Sequence, residues 1–330
     1  MTDNFTYDEI RHDMQTIAFY NLENLFDLTD DKHTNDNDFL PMSVKKWTPK
    51  RYDNKLRKLG FAISNIGKSE TGKHPALVGL AEVENAKVIE DLITSQHLQD
   101  YNYSYVHYDS PDERGIDVAL LYNPNAFKVI NSETFSIELT NGIGLPDYTR
   151  DILLVTGLLD EEEIHIIINH WASRREGEKE TEFKRLASSN KVGEIILRLR
   201  LQYEDPKIVV IGDFNDEPHN KSIKQLLDGF ELHNPMASIR SYSRGSTYHN
   251  RKWNLFDQIL LSVNFLKSSN HSLELYKANI FDEDFLKLFN GPYKGSPFRT
   301  YVGKKYKGGY SDHFPVYAVL KNKKAYIMQA

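Results

Sequence analysis

Cysteine is absent from all 330 residues. Disulfide bridges and thiolate metal sites are therefore excluded, although the absence says little about compartment. A basic surplus is missing too. Forty-one Lys and Arg stand against 47 Asp and Glu, for a net charge of -6. That excludes a chain-wide polybasic footprint, while leaving room for a local basic patch. No apolar run approaches the roughly 20 residues of a membrane-spanning helix. The opening stretch, MTDNFTYDEIRHDM, is polar and acidic, without the basic start and apolar run of a secretion signal, so a cytoplasmic protein is expected. No linker rich in Pro, Gly or Ser and no short-period repeat divides the chain. One domain is expected over residues 1–330, with its core at about 15–322.

What is present is an alternation of strand-like and helix-like segments with 40% hydrophobic residues, which indicates an α/β class. QTIAFYNL (15–22) reads as a first strand, and the acidic, amide-rich stretch 28–41 as a long loop. Tyr52, Leu56, Leu59, Ile63 and Ile66 share one face of a helix over 50–67, which Gly67 ends. ALVGLAEV (76–83) is a buried strand, followed by a helix over 85–98 with Asn85 as its cap. Strands follow in YSYVHYD, DVALLYN, FKVINSETFSI, RDILLVTGLL and EIHIIINHW. A long charged helix over 178–202 draws apolar contacts from Phe183, Leu186, Ile195, Ile196 and Leu199. KIVVIGDF, FDQILLS and VYAVLKN are the last clear strands.

Polar residues gather where the apolar strands end: Asn21, Glu82 and Glu84, Asn169 and His170, Asp213 and Asn215. A further polar step, YSDHFPV (310–316), precedes the final strand. Strand ends fix the backbone while side chains face a crevice, so binding groups collect there. The set is rich in oxygen, and hard divalent cations prefer carboxylate, amide carbonyl and water ligands. Two histidines beside such an ion suit proton transfer and phosphate binding. Each piece alone has a plainer reading as a turn, a cap or a solvated charge. His165, His219 and His249 receive that plainer reading. Asp257 does not: it enters the apolar strand FDQILLS, and a buried carboxylate needs a partner, for which a histidine is the natural candidate.

The order of these pieces resembles the endonuclease/exonuclease/phosphatase superfamily. The matching text is FYNLENLF (19–26), LVGLAEVEN (77–85), RGIDVALLYN (114–123), IINHWASRR (167–175), VVIGDFNDEP (209–218), FDQILLS (256–262) and YSDHFPV (310–316). The wording is most similar to the bacterial branch of predicted extracellular nucleases. The resemblance implies a four-layer α+β sandwich, two facing mixed β-sheets flanked by helices, with the site in the crevice at one edge. It implies a metal site at Asn21 and Glu82 with Asp312 beside it, Glu82 matching better than Glu84. It assigns Asp213 and Asn215 to the attacking water and a phosphate oxygen, and His313 to the scissile phosphate. Asp257 orients His313, and His170 is the second histidine, with Asp117 as its suggested partner. Arg150, and Arg174 and Arg175 beyond His170, are the expected phosphate ligands. Asp216 and Glu217 receive no chemistry.

The implied activity is Mg²⁺-dependent hydrolysis of DNA or RNA phosphodiesters by in-line attack of water, with Mn²⁺ and Ca²⁺ as alternative ions and either Asp213 or His313 as the base. The basic and aromatic loop RTYVGKKYKGGYSDH (299–313) suits a backbone with stackable bases. The acidic balance favours a rival reading, hydrolysis of small phosphorylated metabolites or lipid head groups. A catalytically inactive binding module on the same scaffold is the third. A monomer is expected.

Overall fold

A computed structural model describes residues 10–140, 143–266 and 272–322. Most of the opening stretch, through residue 9, lies outside the described residues. The first part of the chain forms β1 (Met14–Leu25), α1 (Pro49–Asn65), α2 (Lys68–Thr71), β2 (Leu77–Val83), α3 (Ala86–Ile93), β3 (Ser104–His107) and β4 (Asp117–Tyr122). Then come β5 (Phe127–Phe135), β6 (Ile152–Leu159), β7 (Glu162–His170), α4 (Glu182–Gln202), β8 (Lys207–Asp213), α5 (Lys221–Gly229) and β9 (Leu232–His233). The last part holds β10 (Thr247–His249), β11 (Lys252–Asn254), β12 (Asp257–Ser262), β13 (Leu273–Ile280), β14 (Tyr301–Val302), β15 (Lys305–Tyr306) and β16 (Val316–Asn322).

Two mixed six-stranded sheets result, ordered β13-β16-β1-β2-β4-β3 and β5-β6-β7-β8-β12-β9. Among the described residues, only the central β1–β2 and β7–β8 pairs are parallel; their neighbours run antiparallel. The sheets pack face to face with helices outside, the α+β sandwich that the family resemblance implied. Gly79 shows how closely they approach. A Cβ there would lie 2.6 Å from Ile211 Cδ1 of the facing sheet, so any larger residue would have to displace the Ile211 side chain. No helix among the described residues is long and apolar enough to cross a membrane.

The two-residue period of a strand places the site. In β8, Val209 and Ile211 join the core between the sheets, while Ile208 and Val210 join the layer under α4 and α5. Both faces are covered, which explains the unbroken apolar run. Asp213 continues the Val209–Ile211 face and therefore projects between the sheets. His170 continues Ile164, Ile166 and Ile168 of β7 in the same way, and Asp257 shares its face with Ile259 and Leu261 of β12.

The helices follow their apolar stripes. Tyr52, Leu56, Leu59, Ile63 and Ile66 are all buried, and Gly67 ends α1 at φ 69°. Asn85 caps α3 by accepting from Val88 N at 3.1 Å. That helix stops at Ile93 rather than 98, where the Thr94 hydroxyl donates back to Glu90 O at 2.7 Å and the chain turns. In α4 the buried face runs through Arg185, Ser188, Ser189, Val192, Ile195, Ile196 and Leu199. Phe183, expected on that face, is 51% exposed, because two residues before Arg185 lies on the far side of the helix. The strand β13 had no clear signal. It is an edge strand whose LELYKANI buries only Leu273 and Ile280 at its ends and exposes the adjacent Tyr276 and Lys277, so no clean two-residue alternation marks it.

Candidate active site

His170, Asp213 and Asp257 stand level on three adjacent strands. His170 is the direct register partner of Asp213, and Asp213 of Asp257. All three are buried. Asp257 Oδ2 accepts from Nδ1 of His313 at 2.7 Å, which brings the opposite sheet's loop onto this row. Nε2 of His313 then faces Asp213 Oδ2 at 3.9 Å, and Nε2 of His170 faces the same oxygen at 3.7 Å. The backbone of the His313 loop is pinned as well. His313 N donates to Ser311 Oγ, which donates to Asn21 O at 2.7 Å.

Asp213 is held from two sides. Asn21 Nδ2 donates to its Oδ2 and Asn215 N to its Oδ1, each at 3.0 Å. Burial and then the neighbouring Asp257 push its pKa up to about 7. Burial pulls His313 down, but Asp257, Asp213 and Asp312 outweigh it and raise its pKa well above 6.5. Burial, reinforced by Arg150 and Arg114, holds His170 well below that value. One imidazole is thus kept cationic and the other neutral, from opposite environments. Among the described residues, His170 Nδ1 and Asp257 Oδ1 are buried without a hydrogen-bond partner.

Glu82 enters the crevice through an irregularity. Its φ is +62°, and the β1–β2 and β2–β4 registers both shift around it. Asn24 N donates to its Oε2 at 2.8 Å. Its Oε1 faces Arg114 Nη2 and His170 Nε2, each at 3.8 Å. Glu23, Asn24 and Asn215 also adopt positive φ. Such strain gathers where the surroundings force a side chain into a site. Glu84 points elsewhere and accepts from Asp27 N at 2.6 Å. Asp312 Oδ2 accepts from Arg299 at 2.6 Å. Glu82, Asp312, His170, Asp213, Asn215 and His313 line a crevice of about 510 Å³.

The residues fit a hard divalent cation. Glu82 and Asp312 present carboxylates to the crevice, and Glu82 Oε1 faces Arg114 and the His170 imidazole beyond hydrogen-bonding distance. Asn21 is buried behind them with its amide oriented by Glu23 N and Asp213. A tighter grouping, Asp213 with Asp257 and His313, has ligand atoms within 4.8 Å of one another. There the Asp257–His313 hydrogen bond already occupies the donor pair, so it is the poorer cation site.

Residues 16–322 match the model of the Endonuclease/Exonuclease/phosphatase family. The chain belongs to this family. Its members are phosphate-ester hydrolases that use divalent metals. No curated protein matches the sequence. An endonuclease/exonuclease/phosphatase family protein from Bacteroides thetaiotaomicron superposes with a TM-score of 0.58 at 18% identity, over 93% of this chain and 97% of that one. A mannosyl-6-phosphatase of the same organism gives 0.57 at 18% identity, over 93% and 99%. The human Nocturnin catalytic domain, with a bound sulfate, gives 0.55 at 17% identity, over 94% of each. At these identities the likeness is one of fold.

Several sequence expectations within this family frame are corrected by the structure. Arg150 is buried, and its guanidinium donates to His170 O, Trp171 O and Asp112 Oδ2. It braces the end of β7 and is not open to a phosphate. Asp117 pairs with His107 at 3.1 Å and does not touch His170. Arg174 lines the crevice, yet it is tied to Asn215 O, Asp216, Asn220 and Glu178. Arg175 lines the crevice and is exposed. In the 299–313 loop, Tyr301 packs on Phe39 and Trp47, Tyr306 accepts from Asn54, and Tyr310 packs on Phe285. These rings face the protein and offer no stacking platform. Lys304, Lys305 and Lys307 are exposed outside the crevice lining. Arg114 and the β10–β11 hairpin are crevice components that the sequence reading missed. The basic residue of RGIDVALLYN, beside a matched segment, was the available signal for Arg114.

Proposed function

We propose that this chain is a Mg²⁺-dependent phosphodiesterase of the nuclease type, acting as one domain on DNA, RNA or a nucleotide ester. The observation that carries the reading is the level row His170–Asp213–Asp257 with His313 clamped to its end. Glu82 and Asp312, with Asn21 behind them, are the residues that would hold the ion. Bound there, the ion would supply positive charge for the phosphoryl and leaving-group oxygens.

The chain's own groups divide the remaining work. Asp257 fixes the orientation of the cationic His313 through Nδ1, so the Nε2–H points into the crevice. That N–H donates to a phosphoryl oxygen and stabilises charge that builds there. Asp213, oriented by Asn21 and Asn215, holds the attacking water and accepts its proton. Neutral His170 supplies a second hydrogen bond without repelling Arg114. The wording NLENLF, LAEVEN and NHWASRR supports placement beside the bacterial extracellular nucleases.

A second reading, hydrolysis of a small phosphate ester, has one specific observation in its favour: the inward packing of Tyr301, Tyr306 and Tyr310 removes the expected surface for a long strand. A binding module without activity is disfavoured, because every matched polar position is intact in the sequence and Glu82, His170, Asp213, Asn215, Asp312 and His313 line one crevice. A substrate panel with Mg²⁺ tests the reading. It would contain supercoiled DNA, single-stranded DNA, RNA, bis(p-nitrophenyl) phosphate and mannose 6-phosphate. Turnover of mannose 6-phosphate faster than of every diester would replace the first reading with the second.

A further inference from the structure

A second cavity of about 500 Å³ adjoins the catalytic crevice. The two share Tyr248, His249, Asn250, Arg299 and Asp312 in their linings, so a ligand reaching from one to the other passes over those residues. The cavity's own lining adds Tyr293, Leu288, Ser296, Pro297, Val302 and Arg251. Its size lies within the roughly 300–1,000 Å³ of small-molecule pockets. Its lining mixes aromatic, aliphatic and a few polar groups, unlike the charge-dense crevice beside it.

The wall is mechanically tied to the catalytic groups. Thr247 forms a bridge with His313, and its hydroxyl donates to Asp312 O at 2.9 Å. Phe314, directly after His313, stacks on Trp253 at 5.9 Å and 22°. Trp253 packs on Tyr248 at 5.1 Å, and Tyr248 meets Tyr293 at 6.4 Å. A run of four rings thus leads from the catalytic loop to the cavity. The hairpin tip is a second observation. Asn250 and Arg251 hold φ of 49° and 61°, the left-handed pair of a two-residue hairpin, where glycine would fit the second position without strain. An arginine is held there against backbone preference, and it contributes to the cavity lining.

We propose that this cavity is a subsite for the nucleobase of a nucleotide whose phosphate lies at the Glu82–Asp312 end. The proposal rests on the phosphodiesterase reading and narrows it. Tyr293, half exposed, and Tyr248 supply ring faces and edges for a planar aromatic group, while Leu288, Pro297 and Val302 add apolar surface to the same lining.

Binding separates the subsite from the chemistry. Thymidine 5′-phosphate, 2-deoxyribose 5-phosphate and mannose 6-phosphate are titrated calorimetrically into the full chain with Mg²⁺. Thymidine 5′-phosphate should bind about tenfold more tightly than the base-free sugar phosphate, the effect of one stacked base. Tyr293→Ala, at a half-exposed position that leaves folding intact, should close that gap, and Tyr248→Ala should do the same. Equal affinities in the unmodified protein, or a gap that survives both substitutions, would overturn the subsite. Mannose 6-phosphate binding most tightly would overturn its assignment to a base. Hydrolysis of bis(p-nitrophenyl) phosphate is followed in parallel. No turnover beside an intact binding gap would remove the phosphodiesterase reading and still support the subsite.

Discussion

His313 Nδ1 donates to Asp257 Oδ2 across 2.7 Å and so joins the two sheets at the mouth of the crevice. Asp257 opens β12 of one sheet, and His313 lies just before β16 of the other. Neither side chain has a comparable alternative. Asp257 is fully buried with its second oxygen unpartnered, and His313 depends on it for both charge and orientation. The pair should therefore fail as a unit. Asp257→Asn and His313→Ala are each expected to lower kcat by about 10²–10⁴. The double variant should fall little below the weaker single variant. Losses that multiply, measured on any hydrolysed ester, would show two independent groups.

Glu82 is expected to govern metal affinity with little effect on folding. Glu82→Gln keeps a side-chain oxygen for the Asn24 N–H and removes the charge that faces the crevice. Mg²⁺ affinity should drop by roughly an order of magnitude or more, since ligand charge sets affinity at oxygen sites. The midpoint of urea unfolding without metal should stay near that of the unmodified protein. Unchanged Mg²⁺ titration of the variant would place the ion elsewhere.

Arg174 and Arg175 are neighbours with different expected roles. Arg174 neutralises buried Asp216 together with Arg185, so Arg174→Ala should cost about 1–3 kcal/mol of stability. Arg175 is exposed on the crevice lining. Arg175→Ala should leave stability intact, raise KM for a nucleic-acid substrate, and reduce the log–log salt slope of binding by about one. A KM and a salt slope like those of the unmodified protein would mark Arg175 as a solvated bystander.

Much of the site was legible because the period of a strand is a strong constraint. Once KIVVIGD is buried on both faces, the parity of Asp213 decides that it faces the other sheet. Asp257 was legible by cost, since a carboxylate inside an apolar strand demands a partner, and His313 is that partner. What failed was pairing between elements without a periodic signal. Asp117 was assigned to His170 by sequence context, but β3 pairs directly with β4 and delivers His107 instead. Arg150 and the tyrosines of 299–313 carry the right chemistry for phosphate or bases, yet chain geometry turns them inward. Composition reports what a side chain can bind and is silent on whether the fold leaves it open. The β10–β11 hairpin was invisible for a related reason: three-residue strands are too short to show a period.

Two histidines outside the crevice should make the fold acid-sensitive. Burial, aided by Lys73 and Lys68, presses the pKa of His74 down to about 4, and burial alone does the same to His165. His74 stacks on Tyr101 at 4.2 Å, and His165 Nδ1 shares a 2.9 Å hydrogen bond with the Thr156 hydroxyl. In the unfolded chain each would titrate near 6.5. Between about pH 6.5 and 4 the unfolded state therefore binds more protons, and stability falls as pH falls. Above about 6.5 their contribution is complete. Glu84 acts in the opposite sense. Burial raises its pKa to about 8, so protonating it favours the fold as pH drops through that range. The histidine share is isolated by comparing the unmodified protein with a His74→Asn, His165→Asn double variant. Urea midpoints from pH 7.5 to 4.5 should fall less steeply for the variant below about pH 6.5, while the two curves run parallel above it. Parallel curves across the whole range would mean that these imidazoles titrate alike in the folded and unfolded states.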